Sequence, residues 1–214
     1  MLFLQNFYLN VILNIHKFNY QVEGLIEVLI FGEKIKGPIL FVGCHPDDIE
    51  HGCGGFISKM GRKIPMYSLT LSENQKNPKN SNLIKEHYQS LQTLGFSKEK
   101  IILGDFITRE FSYSRQDICD YLWKIKQKIK PSCIFIPPYD LHQDHQIVHD
   151  ECLRVFRSNT VLEYNISRSE KFPKPVLFVS LSKKDVDKKL KALSKYKTYI
   201  KKKLFPKREY YFRM

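Results

Sequence analysis

The chain has 214 residues, 43% of them hydrophobic, which is enough to bury one sizeable core and short for two domains. Its five cysteines are odd in number, never form C-x-x-C and sit mostly in apolar runs, so they point away from a disulfide scaffold and towards a reducing, cytoplasmic setting. The net charge is +13, but residues 183–214 hold thirteen Lys and Arg against Asp185, Asp187 and Glu209, a net +10; such a segment can meet phosphates, anionic lipid headgroups or nucleic acid, or be a solvated face.

The first twenty residues, MLFLQNFYLNVILNIHKFNY, lack a basic start and a small-residue cleavage site, and Gln5, Asn6, Asn10 and Asn14 interrupt the apolar run too often for a membrane span. Residues 1–36 read as a helical or apolar extension ahead of a domain at 37–214. From residue 38 short apolar runs alternate with longer amphipathic ones, the pattern of βαβ units and a mostly parallel α/β sheet. The predicted strands are 39–44 (ILFVGC), 65–71, 100–103, 133–136 (CIFI) and 176–180. The predicted helices are 54–63, 84–94 with Gly95 as a stop, 116–130, 146–157 and 184–203, the last with Val186, Leu190, Leu193, Tyr196 and Ile200 on one stripe. Segments 72–82 and 137–145 read as loops.

Two short segments, each following a predicted strand, carry the chemistry. One is Gly43-Cys44-His45-Pro46-Asp47-Asp48-Ile49-Glu50-His51-Gly52-Cys53-Gly54-Gly55; the other is Tyr139-Asp140-Leu141-His142-Gln143-Asp144-His145. Ligands of open α/β sheets sit at the carboxyl ends of strands where the strand order reverses, so neighbouring strands there would bring His45, Asp47, Asp48, His142, Asp144 and His145 to one crevice. Two imidazoles and a carboxylate suit a catalytic metal that keeps a position open for water, and a further carboxylate that does not bind the metal suits a general base. Gly52, Gly54 and Gly55 are expected to allow a tight turn, start a helix and admit a substrate to the backbone. His51 and His149 read as ordinary helix histidines, Cys44 and Cys53 as small buried residues.

The first segment resembles the H-P-D-D-x-E-x-G-x-G-G motif of PIG-L/LmbE-like de-N-acetylases, and His142-Gln143-Asp144-His145 resembles their H-x-D-H. The resemblance implies a Rossmann-like open sheet with helices on both faces and the site at the strand ends. It implies a Zn2+ cofactor on His45, Asp48 and His145, Asp47 as the base, His142 stabilising the oxyanion and Asp144 fixing the orientation of His142. The implied activity is hydrolysis of the N-acetyl group of a small amino-sugar substrate in glycan biosynthesis. Glu86 matches a family glutamate, but Leu83 and Ile84 stand where an arginine is common, and Tyr196-Lys197-Thr198-Tyr199 replaces a frequent Tyr-x-Ser-Gln. The basic segment suggests a phosphate-, nucleotide- or lipid-linked sugar and contact with the inner face of a membrane, with no nucleic acid partner. Rival readings are an N-deformylase, a non-haem iron enzyme on the same two His and one Asp, and a non-catalytic protein binding anions or a membrane surface.

Overall fold

The computed structural model describes residues 7–12 (backbone only), 37–61, 64–74, 76, 78–166 and 177–201. The strands are β1 (Phe7–Ile12), β2 (Ile39–Gly43), β3 (Met66–Thr70), β4 (Ile101–Leu103), β5 (Cys133–Ile136), β6 (Thr160–Tyr164) and β7 (Leu177–Leu181). The helices are α1 (Asp48–Met60), α2 (Leu83–Leu94), α3 (Arg115–Ile129), α4 (Gln143–Val155), α5 (Lys183–Leu193) and α6 (Lys197–Lys201).

The seven strands form one sheet in the order β4-β3-β2-β5-β6-β1-β7. Five of them, from β4 to β6, run parallel; β1 is antiparallel to both of its neighbours. The chain steps outward from β2 through β3 to β4 and then returns to lay β5 on the other side of β2, with Ile39 opposite Cys133 and Phe41 opposite Phe135. The order reverses there, so the segments leaving Gly43 and Ile136 emerge side by side. Both faces of the central strands are apolar, as a sheet covered on both sides requires. Ile39, Phe41, Cys133 and Phe135 pack with Ile49, Phe56 and Ile57 of α1, Leu91 and Leu94 of α2 and Ala192 of α5. Leu40, Val42, Ile134 and Ile136 pack with Ile118, Leu122 and Ile125 of α3 and Val148 and Cys152 of α4.

Helix α1 begins at Asp48, six residues before its predicted start, and holds Gly52, Gly54 and Gly55 inside it. Three glycines lower intrinsic helix propensity, which is why sequence places the helix after them. Packing overrides the propensity: a Cβ on Gly52 would lie 2.1 Å from Tyr164 Cδ2, and one on Gly55 2.3 Å from Leu181 Cδ1. These glycines therefore let the helix lie close on β6 and β7, instead of forming the turn and the substrate-facing backbone expected of them. The Tyr164 ring is held by its hydroxyl, which donates to Val42 O at 2.8 Å, so it cannot swing aside cheaply. Gly52→Ala is expected to lose about 2 kcal/mol from overpacking, a fall in melting temperature of roughly 4–8 °C, read by thermal unfolding.

Further differences from the sequence reading have local causes. Phe7–Ile12, expected within a helical or apolar extension, forms a strand inside the sheet between β6 and β7; residues 13–36 lie outside the described ones. β6 was not predicted because Glu163 breaks its apolar run, and that carboxylate is matched by His149 Nε2 at 2.7 Å. The predicted helix 184–203 breaks at 194–196 into α5 and α6. Val186, Leu193 and Tyr196 of its stripe are buried, but the break changes the phase, so Tyr199 goes in and Ile200 is exposed. Residues 202 and 203 lie outside the described ones.

Candidate active site

The segment after β2 turns through Cys44–Asp47 into α1. The backbone N–H groups of Cys44 and His45 both donate to Asp48 Oδ2 at 2.9 Å, which fixes the first carboxylate of the helix. The segment after β5 enters α4 through His142, whose Nδ1 accepts from Asp144 N at 3.2 Å and so caps the helix. A histidine is an uncommon cap, which explains why the sequence puts the helix start three residues later. Asp144 and His145 thus sit on the first turn of α4, facing the first turn of α1 across the β2/β5 boundary.

The two segments converge. His145 Nε2 lies 3.4 Å and His45 Nδ1 3.7 Å from Asp48 Oδ2, and all three residues are buried. The remaining ring nitrogens are engaged: His45 Nε2 with Asp144 Oδ2 at 2.8 Å and His145 Nδ1 with Asp140 Oδ2 at 2.8 Å. A carboxylate on one imidazole nitrogen fixes the tautomer and turns the other nitrogen into a metal donor. Consistent with that use, His145 Nε2 is buried with no hydrogen-bond partner among the described residues. His45, His142 and His145 also place one nitrogen each within 4.8 Å of one another, as do the donor atoms of Cys44, Asp48 and His145. A metal ion therefore fits this cluster, to which His45, His142, His145 and Asp48 bring donor atoms. Burial raises the pKa of the Cys44 thiol, and Asp48 adds to the rise. In the metal-free chain that thiol stays protonated, a small buried core residue.

The electrostatics are those of a closely packed ion cluster. Burial opposes ionisation of Asp48, but His145 and His45 outweigh it and hold the carboxyl below the usual range. Burial likewise opposes charge on His145, yet Asp48 and Asp140 raise it to about 10. His142 is driven down to about 4 by burial and by its two histidine neighbours, so it is neutral at physiological pH. Because its Nδ1 accepts from Asp144 N, its Nε2 carries the proton and is a hydrogen-bond donor.

Asp47 precedes the helix with φ 101°, a left-handed backbone, and makes no side-chain cap bond. Its carboxylate is thus not consumed by helix capping, and its Oδ2 is 3.6 Å from His51 Nε2. Asp144 behaves differently from its expected role: its carboxylate accepts from His45 and from Arg109 N at 2.8 Å, and touches His142 only through its backbone N–H. The geometry follows from Asp144 lying on the turn of α4 that faces His45. Two contributors escaped the sequence reading. Asp140 orients His145, and could have been found by asking which nearby carboxylate could serve that ring; Arg109, with φ 70°, acts through its backbone, its N–H donating to Asp144 and its carbonyl accepting from Gln143 Nε2, and carries no readable signal.

The C-terminal elements close on the same motif from the other side. Tyr196 OH donates to Glu50 Oε1 at 2.6 Å and lies 2.6 Å from His87 Nδ1. Burial lifts Glu50 to about 7 and drops His87 to about 3. Glu86 accepts from Thr198 N and Oγ1 at 3.1 Å, and Tyr199 OH accepts from Asn74 Nδ2 at 3.1 Å. Leu83 is buried against Tyr196 and Tyr199, so the position where an arginine is common serves packing here.

Comparison with known proteins decides the family. The model of PIG-L, described as GlcNAc-PI de-N-acetylase, matches residues 40–156, which span both motifs and more than half of the chain. The chain belongs to the PIG-L family. With it the protein is a hydrolase of amide bonds, a deacetylase of N-acetylated substrates. This PIG-L protein is 29% identical over 180 residues to YaiS of Escherichia coli K12, named an uncharacterised deacetylase; the match covers 80% of the chain and 96% of that relative. In fold it is similar to N,N'-diacetylchitobiose deacetylase from Pyrococcus horikoshii, with TM-score 0.65 and 20% identity over 92% of this chain and 86% of that one. It is also similar to the zinc-inhibited form of teicoplanin deacetylase Orf2, with TM-score 0.62 and 13% identity over 76% and 84% of the two chains.

Proposed function

We propose that this PIG-L protein hydrolyses the N-acetyl group of a phosphate-bearing amino sugar, with zinc held by His45, Asp48 and His145. The observation that carries the metal assignment is the pair of carboxylate–imidazole contacts, Asp144 on His45 and Asp140 on His145, which leave one nitrogen of each ring beside Asp48. Two imidazoles and a carboxylate are the donor set of catalytic zinc sites, where the bound ion polarises the acyl carbonyl and lowers the pKa of water to roughly 7. Asp47 takes the proton of the attacking water and passes it to the departing amine. His142 donates its Nε2–H to the developing oxyanion. Acetate and a free amino sugar leave.

An amino sugar as substrate is supported by the family's description and by the substrates named for the similar deacetylases, a chitobiose derivative and teicoplanin. Phosphate linkage, whether in a nucleotide or on a lipid, is supported by the net +10 of residues 183–214. Of these, Lys197 and Lys201 are exposed on α6, the helix whose Tyr199 meets Asn74 of the loop after β3. Among the described residues no helix is long and apolar enough to cross a membrane. The test compares N-acetylglucosamine 1-phosphate with N-acetylglucosamine in the native protein and in Lys197→Glu/Lys201→Glu. The expected result is a KM for the phosphorylated sugar raised about tenfold by the substitutions and by added salt, with the neutral sugar unaffected. Equal kinetics on both sugars, insensitive to charge reversal and salt, would reduce the basic segment to a solvated surface.

A further inference from the structure

We infer that His51 is a positioning residue for Asp47, holding the carboxylate in the orientation from which it exchanges protons with water and amine. The inference rests on the assignment of Asp47 as the base and adds to it a residue at a position that the motif leaves open.

Asp47 is the residue at the N-cap of α1. It stands before α1 with φ 101° and without the side-chain cap bond that commonly locks an aspartate there. Asp48, by contrast, is fixed by two backbone N–H donors at 2.9 Å. The group facing Asp47 from the helix is His51, one turn on, with Nε2 3.6 Å from Asp47 Oδ2. Residues four apart lie on one helix face, so the two side chains meet without distortion.

His51 itself is held. Its N–H donates to Asp47 O at 2.9 Å, and its carbonyl accepts from Lys189 Nζ at 2.6 Å. Lys189 reaches it from α5, is buried, and its stem fills the space left open by Gly54. The imidazole therefore projects from a turn fixed on both sides. The Asp47 and His51 side chains are 20% and 13% exposed, against 7% for Asp48. The pair is thus more open to solvent than Asp48. A base that must serve two proton transfers in one turnover gains from a neighbour that restricts its rotamers, because misplacement of a reacting group by about 1 Å can lower the rate by roughly a hundredfold.

The test is a double-mutant cycle on zinc-loaded protein, following amine release from N-acetylglucosamine, N-acetylglucosamine 1-phosphate and N,N'-diacetylchitobiose. His51→Ala is expected to lower kcat about 10- to 100-fold with KM, zinc content and melting temperature unchanged, and His51→Gln to recover part of the loss. In an Asp47→Asn background His51→Ala should have no further effect. A substrate-independent reading comes from the imidazole 1H–15N resonances, where Asp47→Asn should displace the ring signals of His51. Asp47→Asn at wild-type turnover, or no amine from any of the three sugars, would overturn the functional reading itself. With Asp47→Asn inactive, wild-type kcat in His51→Ala, an equal loss in the Asp47→Asn background, or unmoved ring signals would overturn the role of His51 alone.

Discussion

Asp47→Asn is expected to lower the turnover of an N-acetylated amino sugar by at least about three orders of magnitude while metal content stays at the wild-type level. General base catalysis contributes roughly 10²–10⁴, and the same carboxylate orients the water and returns the proton to the amine. Asp47 makes no helix-cap bond through its side chain, so asparagine removes the charge without removing a cap, and asparagine tolerates the left-handed φ of 101°. Acetate release under saturating substrate, with metal analysis of the same preparation, is the measurement. Near-wild-type turnover would take Asp47 out of the mechanism.

The second large effect is on the metal. His145→Ala and His45→Ala should each lose the ion and with it the activity, since each removes one of three donors. Asp140→Asn, which leaves the ligands in place but withdraws the carboxylate from His145 Nδ1, should weaken metal affinity about 10- to 100-fold. His142→Ala should keep the metal and lose turnover; loss of the ion in that variant would make His142 a ligand. A pH dependence accompanies the site. In the metal-free chain Asp48 and Asp140 hold His145 protonated up to about 10, and a metal must displace that proton. Below that value apparent affinity should therefore rise about tenfold per pH unit. The sign for stability is opposite. The imidazolium's contribution to the metal-free fold is fully present below the unfolded histidine value of roughly 6.5, and is lost as pH climbs through about 10. Titration calorimetry across pH 6–9 and melting curves with and without metal read the two. A pH-independent affinity would show that His145 does not ligate.

Local order in the sequence determined the α/β class, four of the five parallel strands (β2, β3, β4 and β5) within a residue or two, and the two segments that carry the site. Strands buried on both faces read as short apolar runs, and His, Pro and Asp at strand ends stand out against them. What sequence could not decide depends on contacts between distant residues. Glycine-rich α1 is a helix from Asp48 because Tyr164 and Leu181 need the space a side chain would take. β6 keeps a buried Glu163 because His149 answers it. Asp144 serves His45 and not His142 because α4 starts three residues early and turns that carboxylate onto the ring across the β2/β5 boundary. The residue types were legible because chemistry selects them. Which nitrogen Asp144 holds was set only when the sheet brought residues 99 positions apart to 2.8 Å.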